Sequence, residues 1–229
     1  MALHIGRLYP FRYHNIQQLK YRILNTMKRV ILAVIACLTI SISTVSAQYR
    51  AVFMGDSIFD CWDSPKHGGH PEFFSANNFL NKGISGQVTA QMLERFVSDV
   101  VANKPQAVII CAGTNDIAQN KGYVPNRLIM KNIKRMTRIA ESNNIRVILC
   151  TLLPAARYRW RPEIQPVAPI RDMNRRIARF AHSKKRGFID FYTPLAAADG
   201  SLPLEFSKDG VHPNSHCYSI MEPLVLQAL

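Results

Sequence analysis

Arg50-Ala51-Val52-Phe53-Met54-Gly55-Asp56-Ser57 is an apolar run that stops abruptly on a glycine and two small polar residues. A short run of this kind, bounded by a turn signal, reads as a buried strand. The pattern recurs at residues 50–55, 79–83, 107–112, 146–152 and 187–191, and the runs at 107–112 and 147–152 are nearly unbroken in apolar character. Longer amphipathic stretches separate them, at 89–102, 126–143, 170–185 and 214–229. In the first, Met92, Phe96 and Val100 recur every fourth residue. In the second, Leu128, Ile129, Ile133, Met136 and Ile139 share a face with Lys and Arg opposite. Strands alternating with helices predict an α/β fold, a three-layer α/β/α sandwich around a central parallel sheet. With no internal repeat or long linker, residues 48–229 read as one domain.

The N-terminal segment reads differently. From Met27, Lys28-Arg29 precede an apolar run from Val30 to Val45, and Val45-Ser46-Ala47 lies before Gln48. This is the layout of a secretory signal peptide over 27–47 with a small-residue cleavage site. Residues 1–26 are then a misassigned extension ahead of the true initiator, Met27. An uncleaved membrane anchor is disfavoured because Thr39, Ser41, Ser43, Thr44 and Ser46 dilute the run. Val34-Ile35-Ala36-Cys37 resembles a lipoprotein cleavage box and ranks second to the signal. The expectation is an exported protein, periplasmic or extracellular, with no stable membrane span after cleavage.

Charge follows the same division. The chain carries a formal +14, but residues 1–47 hold six basic and no acidic residues, leaving 23 basic against 15 acidic, a net +8. That remainder is spread along helical faces, and no nucleic-acid motif accompanies it, so no nucleic-acid partner is expected. A basic surface can still steer an anionic substrate. Cys61, Cys111, Cys150 and Cys217 lack metal or redox spacing.

Chemistry-bearing residues fall just after the strand candidates or in a late loop, which in an open parallel sheet places them near the carboxyl edge. Ser57 is a candidate nucleophile, and a serine hydroxyl needs a base to take its proton. Among seven histidines, His212 has a ready partner: Asp209 precedes it by three residues in a turn tightened by Gly210 and Pro213. One carboxylate at that spacing can hold the imidazole in the tautomer whose other nitrogen faces Ser57. Gly86, Asn115 and the Ser57 N–H supply donors for an oxyanion. Each has a plainer reading alone: Ser57 as a helix cap, the glycines as turns, Asp209-Gly210 as a turn. Their joint order favours the catalytic one.

Gly55-Asp56-Ser57, Asn81-Lys82-Gly83-Ile84-Ser85-Gly86, Gly113-Thr114-Asn115-Asp116 and Asp209-Gly210-Val211-His212-Pro213 resemble the successive sequence blocks of the SGNH hydrolases, the GDSL esterase/lipase family. The resemblance spans essentially all of residues 50–229. It implies a flavodoxin-like sandwich and metal-independent, cofactor-free ester hydrolysis through an acyl-serine. It also implies Ser57 as nucleophile, His212 as base oriented by Asp209, and Gly86 and Asn115 as oxyanion donors. Ile58 stands where the name-giving block has Leu, at a position that should pack. The Gly-x-Ser-x-Gly elbow of the α/β-hydrolases is absent.

Trp62, five residues past Ser57, and Tyr158 and Trp160 within Arg157-Tyr158-Arg159-Trp160-Arg161 are candidate pocket contacts. Asp63, His67 and His70, near Gly68, Gly69 and Pro71, read as a flexible, solvent-exposed rim without metal spacing. The expected substrate is a small-molecule or polysaccharide ester, with acetyl or another small acyl group removed from carbohydrate. A lysophospholipase or thioesterase of the same chemistry is one alternative, and a carbohydrate-binding envelope protein without turnover is another.

Overall fold

The computed structural model describes residues 18–31, 48–184 and 186–229. The chain divides into two units, Met1–Ser46 and Ala47–Leu229. In the first, residues 18–31 are helical. The expected cleavage site at Val45-Ser46-Ala47, Cys37 and most of the signal run lie outside the described residues. Among the described residues no helix is long and apolar enough to cross a membrane.

A sheet of β1 (Ala51–Gly55), β2 (Phe79–Gly83), β3 (Ala107–Cys111), β4 (Arg146–Cys150) and β5 (Gly187–Ile189) organises the second unit. Its order is β2-β1-β3-β4-β5, and every pairing is parallel. The helices are α1 (Ser57–Asp60), α2 (Pro71–Ala76), α3 (Thr89–Asp99), α4 (Thr114–Ile117), α5 (Asn126–Ser142), α6 (Val167–Ser183), α7 (Tyr192–Leu195) and α8 (Ser215–Ala228).

Strand alternation decides the layers, because successive side chains point to opposite faces. Val52, Met54, Val108, Ile110, Val147 and Leu149 form one core with Met92 and Phe96 of α3, Ile129 and Ile133 of α5, and Ile170 and Met173 of α6. Their neighbours Ala51, Phe53, Ala107, Ile109 and Ile148 form the other, with Phe59 of α1, Phe73 and Phe74 of α2, and Tyr218 and Met221 of α8. The expected three-layer sandwich is therefore present, with both faces of the sheet covered.

The strand order places the site. From β1 the chain passes to β2 on one side, then to β3 on the other, so the winding reverses at β1. Ligand crevices of open α/β sheets form at such a switch, outside the carboxyl ends of the strands. Gly55 pairs in register with both Gly83 and Cys111. The three loops that follow these strands therefore leave the sheet at one height.

Some boundaries differ from the expected ones. β4 stops at Cys150 rather than 152 because Asn174 of α6 takes over the pairing. Its side chain accepts from the Leu152 N–H at 2.7 Å and donates to the Leu152 carbonyl at 3.0 Å. α6 begins at Val167, three residues earlier than its periodicity suggests. The last turn expected of the 89–102 helix tightens into a 3-10 turn, Val101–Asn103, capped by Lys104 in the left-handed region.

Candidate active site

β1 ends where Gly55 lets the chain pass close to its neighbours: a Cβ there would sit 2.7 Å from Phe59 Cδ2 and 3.0 Å from the Cys111 carbonyl. Asp56 then caps α1, its carboxylate accepting from the Ile58 N–H at 3.0 Å. The capping role that Ser57 could have taken thus belongs to Asp56. Burial pushes the Asp56 carboxyl up to about 6, with the Ile58 N–H opposing. Ser57 occupies the first helical position, and its Oγ lies 3.0 Å from His212 Nε2. His212 Nδ1 lies 2.6 Å from Asp209 Oδ2.

The Asp209–His212 turn is built from beneath by a residue that sequence reasoning missed. Ser207, fully buried, donates to Asp209 Oδ1 at 3.0 Å. Its hydroxyl also accepts from the N–H groups of Gly210 at 2.9 Å and Val211 at 3.1 Å. Asp209 Oδ1 accepts from the Val211 and His212 N–H groups, each at 2.9 Å. Gly210 adopts φ +83°, the left-handed conformation that side chains disfavour. Ser207 sits two residues before Asp209, a spacing at which a hydroxyl supports a turn, so a signal existed. Burial alone would raise the Asp209 carboxyl. The hydrogen bonds from the His212 ring and the two N–H groups outweigh it and hold the group well below the usual carboxylate range. The hydrogen bond to Asp209 raises His212 above the ordinary imidazole value, against the opposing effect of burial.

Asn115 lies on α4, which Gly113 precedes as its cap residue with φ +131°. Its Oδ1 accepts from Asn120 Nδ2 at 2.7 Å, which orients the amide, and its Nδ2 donates one hydrogen to the Gln87 carbonyl at 3.1 Å. The second Nδ2 hydrogen remains for a ligand. Gly86 has φ +78°, and a Cβ there would meet nothing within 4 Å, so backbone conformation rather than crowding calls for glycine.

The loop carrying Gly86 is held on several sides. Asp60 Oδ2 accepts from the Ser85 N–H at 3.1 Å and from its hydroxyl. Arg95 donates to Gln87 Oε1 at 2.6 Å and to the Gly55 carbonyl at 3.2 Å. Asp116 accepts from the N–H and hydroxyl of Thr89 at 2.8 and 2.6 Å, joining α4 to the start of α3. No local sequence signal marks Asp60, Arg95 or Asn120 for these roles.

Ser57, Gly86, Asn115, Asp209 and His212 all line one cavity of about 890 Å³. Of the three aromatic candidates only Trp160 lines it, and its Nε1 donates to Asn120 Oδ1 at 2.9 Å. The expectation for Trp62 and Tyr158 is corrected. Trp62 is fully buried, stacked on Phe73 at 5.6 Å and on Tyr218 at 5.0 Å, because α2 and α8 close over it. Tyr158 is also fully buried, with its ring 5.2 Å from Trp160 and its hydroxyl donating to the Thr114 carbonyl at 3.4 Å. It supports Trp160 from behind.

The expected solvent-exposed rim is present at Asp63 and His67 and is corrected at His70. Residues 61–70 form two 3-10 turns, Cys61–Asp63 and Pro65–His67. A Cβ on Gly69 would lie 2.2 Å from the Cys61 carbonyl oxygen, so that glycine marks a close crossing. His70, only 15% exposed, lies 2.6 Å from Glu222 Oε1 and 2.7 Å from Ser215 Oγ. The four cysteines of this unit are free and buried, and burial pushes the Cys217 thiol up to about 12.

A model of the GDSL-like lipase/acylhydrolase family matches residues 53–220, a stretch that contains every one of these loops. The chain belongs to this family. Two solved structures are similar over most of their length. A candidate acylhydrolase from Bacteroides fragilis is 39% identical, with 80% of this chain and 87% of that one covered and a TM-score of 0.76. A GDSL-like lipase from Bacteroides thetaiotaomicron is 40% identical, with 80% and 89% covered and a TM-score of 0.76. The uncharacterized lipoprotein YqeF of Bacillus subtilis is 34% identical over 80 residues. That match spans about a third of each chain, 34% of this one and 33% of YqeF.

Proposed function

We propose that the protein is an exported serine esterase that removes acetyl or other small acyl groups from carbohydrate. The observation that carries the reading is the relay from Ser57 Oγ through His212 to Asp209, at 3.0 and 2.6 Å, opening on a cavity shared with Gly86 and Asn115.

His212 takes the Ser57 proton as the oxygen attacks the ester carbonyl, and Asp209 stabilises the imidazolium that forms. Negative charge developing on the carbonyl oxygen is met by the Ser57 and Gly86 N–H groups and the remaining Asn115 amide hydrogen. Neither N–H donates to a protein acceptor among the described residues. His212 returns its proton to the departing alcohol, leaving an acyl-serine. Water then attacks that acyl group as the same base takes its proton, and the Ser57 Oγ–acyl bond breaks as His212 returns the proton to Ser57, releasing the carboxylic acid.

The cavity lining favours a small acyl group on a polar alcohol. Apart from Cys61, Trp160 and Pro213 it is made of polar residues and glycines, whereas a long acyl chain needs an apolar groove. Trp160, exposed on the wall, offers a flat face for a sugar ring. Export is supported by the signal-like pattern at 27–47 and by the lipoprotein name of YqeF.

Hydrolysis of 4-nitrophenyl esters from acetate to palmitate tests the proposal. Activity should be highest at acetate and fall with chain length, and Ser57→Ala should lose roughly a thousandfold or more. Equal turnover by wild type and Ser57→Ala would sink the nucleophile. A palmitate optimum would move the substrate to lipid.

A further inference from the structure

Basic side chains outnumber acidic ones on the cavity wall. Lys66, His67, Lys208 and His216 line it, while the one acidic lining residue is Asp209. Asp209 is already engaged by the His212 ring, two backbone N–H groups and the Ser207 hydroxyl. Both lysines are exposed, and neither forms an ion pair among the described residues. Arg159 donates to the Lys208 carbonyl at 3.3 Å, which brings a third cationic side chain beside Lys208.

The segment that presents Lys66 and His67 is constructed. Ser64 accepts from the N–H groups of His67 at 3.0 Å and Gly69 at 2.9 Å, and the His70 N–H donates to the Trp62 carbonyl at 2.7 Å. His67 Nδ1 lies 3.1 Å from Ser64 Oγ. The His70 ring, between Glu222 and Ser215, fastens the turn to the start of α8. That helix start carries His216 and follows the His212 loop. The lysine-bearing turn and the catalytic loop are therefore tied through one clasp.

We propose that Lys66 and Lys208, flanked by His67 and His216, form a subsite for a carboxylate on the alcohol side of the ester, so that the preferred substrate is an acylated acidic polysaccharide. The inference rests on the esterase reading above and narrows its substrate. Lysine suits this role as a compact, mobile point charge that can meet a carboxylate at the mouth of a wet cavity. Exposed charge pairs contribute modestly, so the two lysines together should favour an anionic substrate by about three- to twentyfold. The effect should shrink as salt screens it.

The test compares kcat/KM on acetylated oligogalacturonides, on the same oligosaccharides after carboxyl reduction, and on 4-nitrophenyl acetate. Measurements run at about 20 mM and about 500 mM salt, where screening lengths differ several-fold. Wild type should prefer the acidic oligosaccharide at low salt and lose much of that preference at high salt. In Lys66→Gln/Lys208→Gln the acidic-to-neutral ratio should fall toward one. Lys131→Gln/Arg135→Gln removes the same charge from exposed positions on α5, and it should keep the wild-type ratio. Equal rates on acidic and reduced oligosaccharides would overturn the subsite, and so would a ratio that survives the lysine substitutions. A ratio lowered equally by the α5 pair would replace the subsite with a diffuse field. Preference for lysophosphatidylglycerol over the acidic oligosaccharide would also overturn it. Absence of any activity on 4-nitrophenyl acetate would sink the esterase reading itself, an outcome separate from these.

Discussion

Among the described residues, eight of the ten buried polar residues lie just beyond the carboxyl ends of the strands or in the loops and helix starts that follow: Asp56, Ser57, Thr89, Thr114, Asn115, Asp116, Thr151 and Ser207; a ninth, Asn174, reaches that edge from the middle of α6 to bond the Leu152 backbone. The tenth, Thr137, lies midway along α5 under the helical layer. Among the described residues its Oγ1 is the one fully buried side-chain polar atom without a hydrogen-bond partner. Burying a polar group costs free energy unless its bonds are remade. At the carboxyl edge Asp56, Ser57, Asn115 and Ser207 remake such bonds beside the cavity, and Asp116 and Asn174 tie neighbouring segments together. At Thr137 the same cost positions nothing. The difference marks where the fold uses burial for alignment rather than only for packing.

The largest test of that contrast is Asp209→Asn. It keeps the shape but lets the wrong His212 tautomer form, and should lower kcat by roughly a thousandfold to ten-thousandfold. Its pH profile carries a second readout. His212 must be neutral to accept the Ser57 proton, so wild-type kcat/KM should rise with pH along a limb set above the ordinary imidazole value of about 6.5. Without the Asp209 carboxylate that limb should move to lower pH, because the main influence raising the imidazole is gone. A limb that stays in place would separate Asp209 from the base.

A smaller effect distinguishes donor from orienting residue. Asn115→Ala removes a proposed oxyanion donor and should reduce kcat by roughly a hundredfold to a thousandfold. Asn120→Ala leaves the proposed donor in place and removes the bond that orients it, worth about 1 kcal/mol net, along with the Trp160 contact, and should cost about fivefold. Equal losses would mean that Asn115 works through the network rather than on the substrate.

The smallest effects compare the two regions directly, by thermal and denaturant unfolding. Ser207→Ala leaves the Gly210 N–H without its acceptor and the Val211 N–H with Asp209 Oδ1 alone, and should destabilise by about 1–3 kcal/mol while lowering kcat. Thr137→Val removes an unsatisfied hydroxyl and should stabilise by up to about 1 kcal/mol without altering kcat. A Ser207→Ala protein with full stability and rate would break the contrast.

Legibility in the sequence tracked the range of the interaction. Strand runs, the Gly210 turn and the three-residue step from Asp209 to His212 are local, and each could be read from adjacent residues. Trp62 and Tyr158 were misplaced because an aromatic residue near a catalytic loop suits either a cavity wall or a core. Only the approach of Phe73 and Tyr218, the latter 156 residues further on, buries Trp62. His70 looked exposed for the same reason: its partners Ser215 and Glu222 are 145 and 152 residues away.

By itself the sequence determined the alternation of strands and helices, the family blocks and the identity of the residues offered for acyl transfer. These depend on periodicity and on backbone conformations that neighbouring residues dictate. Tertiary structure alone decided that Asp56 rather than Ser57 caps the first helix, that Ser207 supports the Asp209 turn, and which aromatic ring reaches the cavity. Each of those outcomes is a competition for burial or for a hydrogen-bond partner, settled only when distant segments meet at the switch point of the sheet.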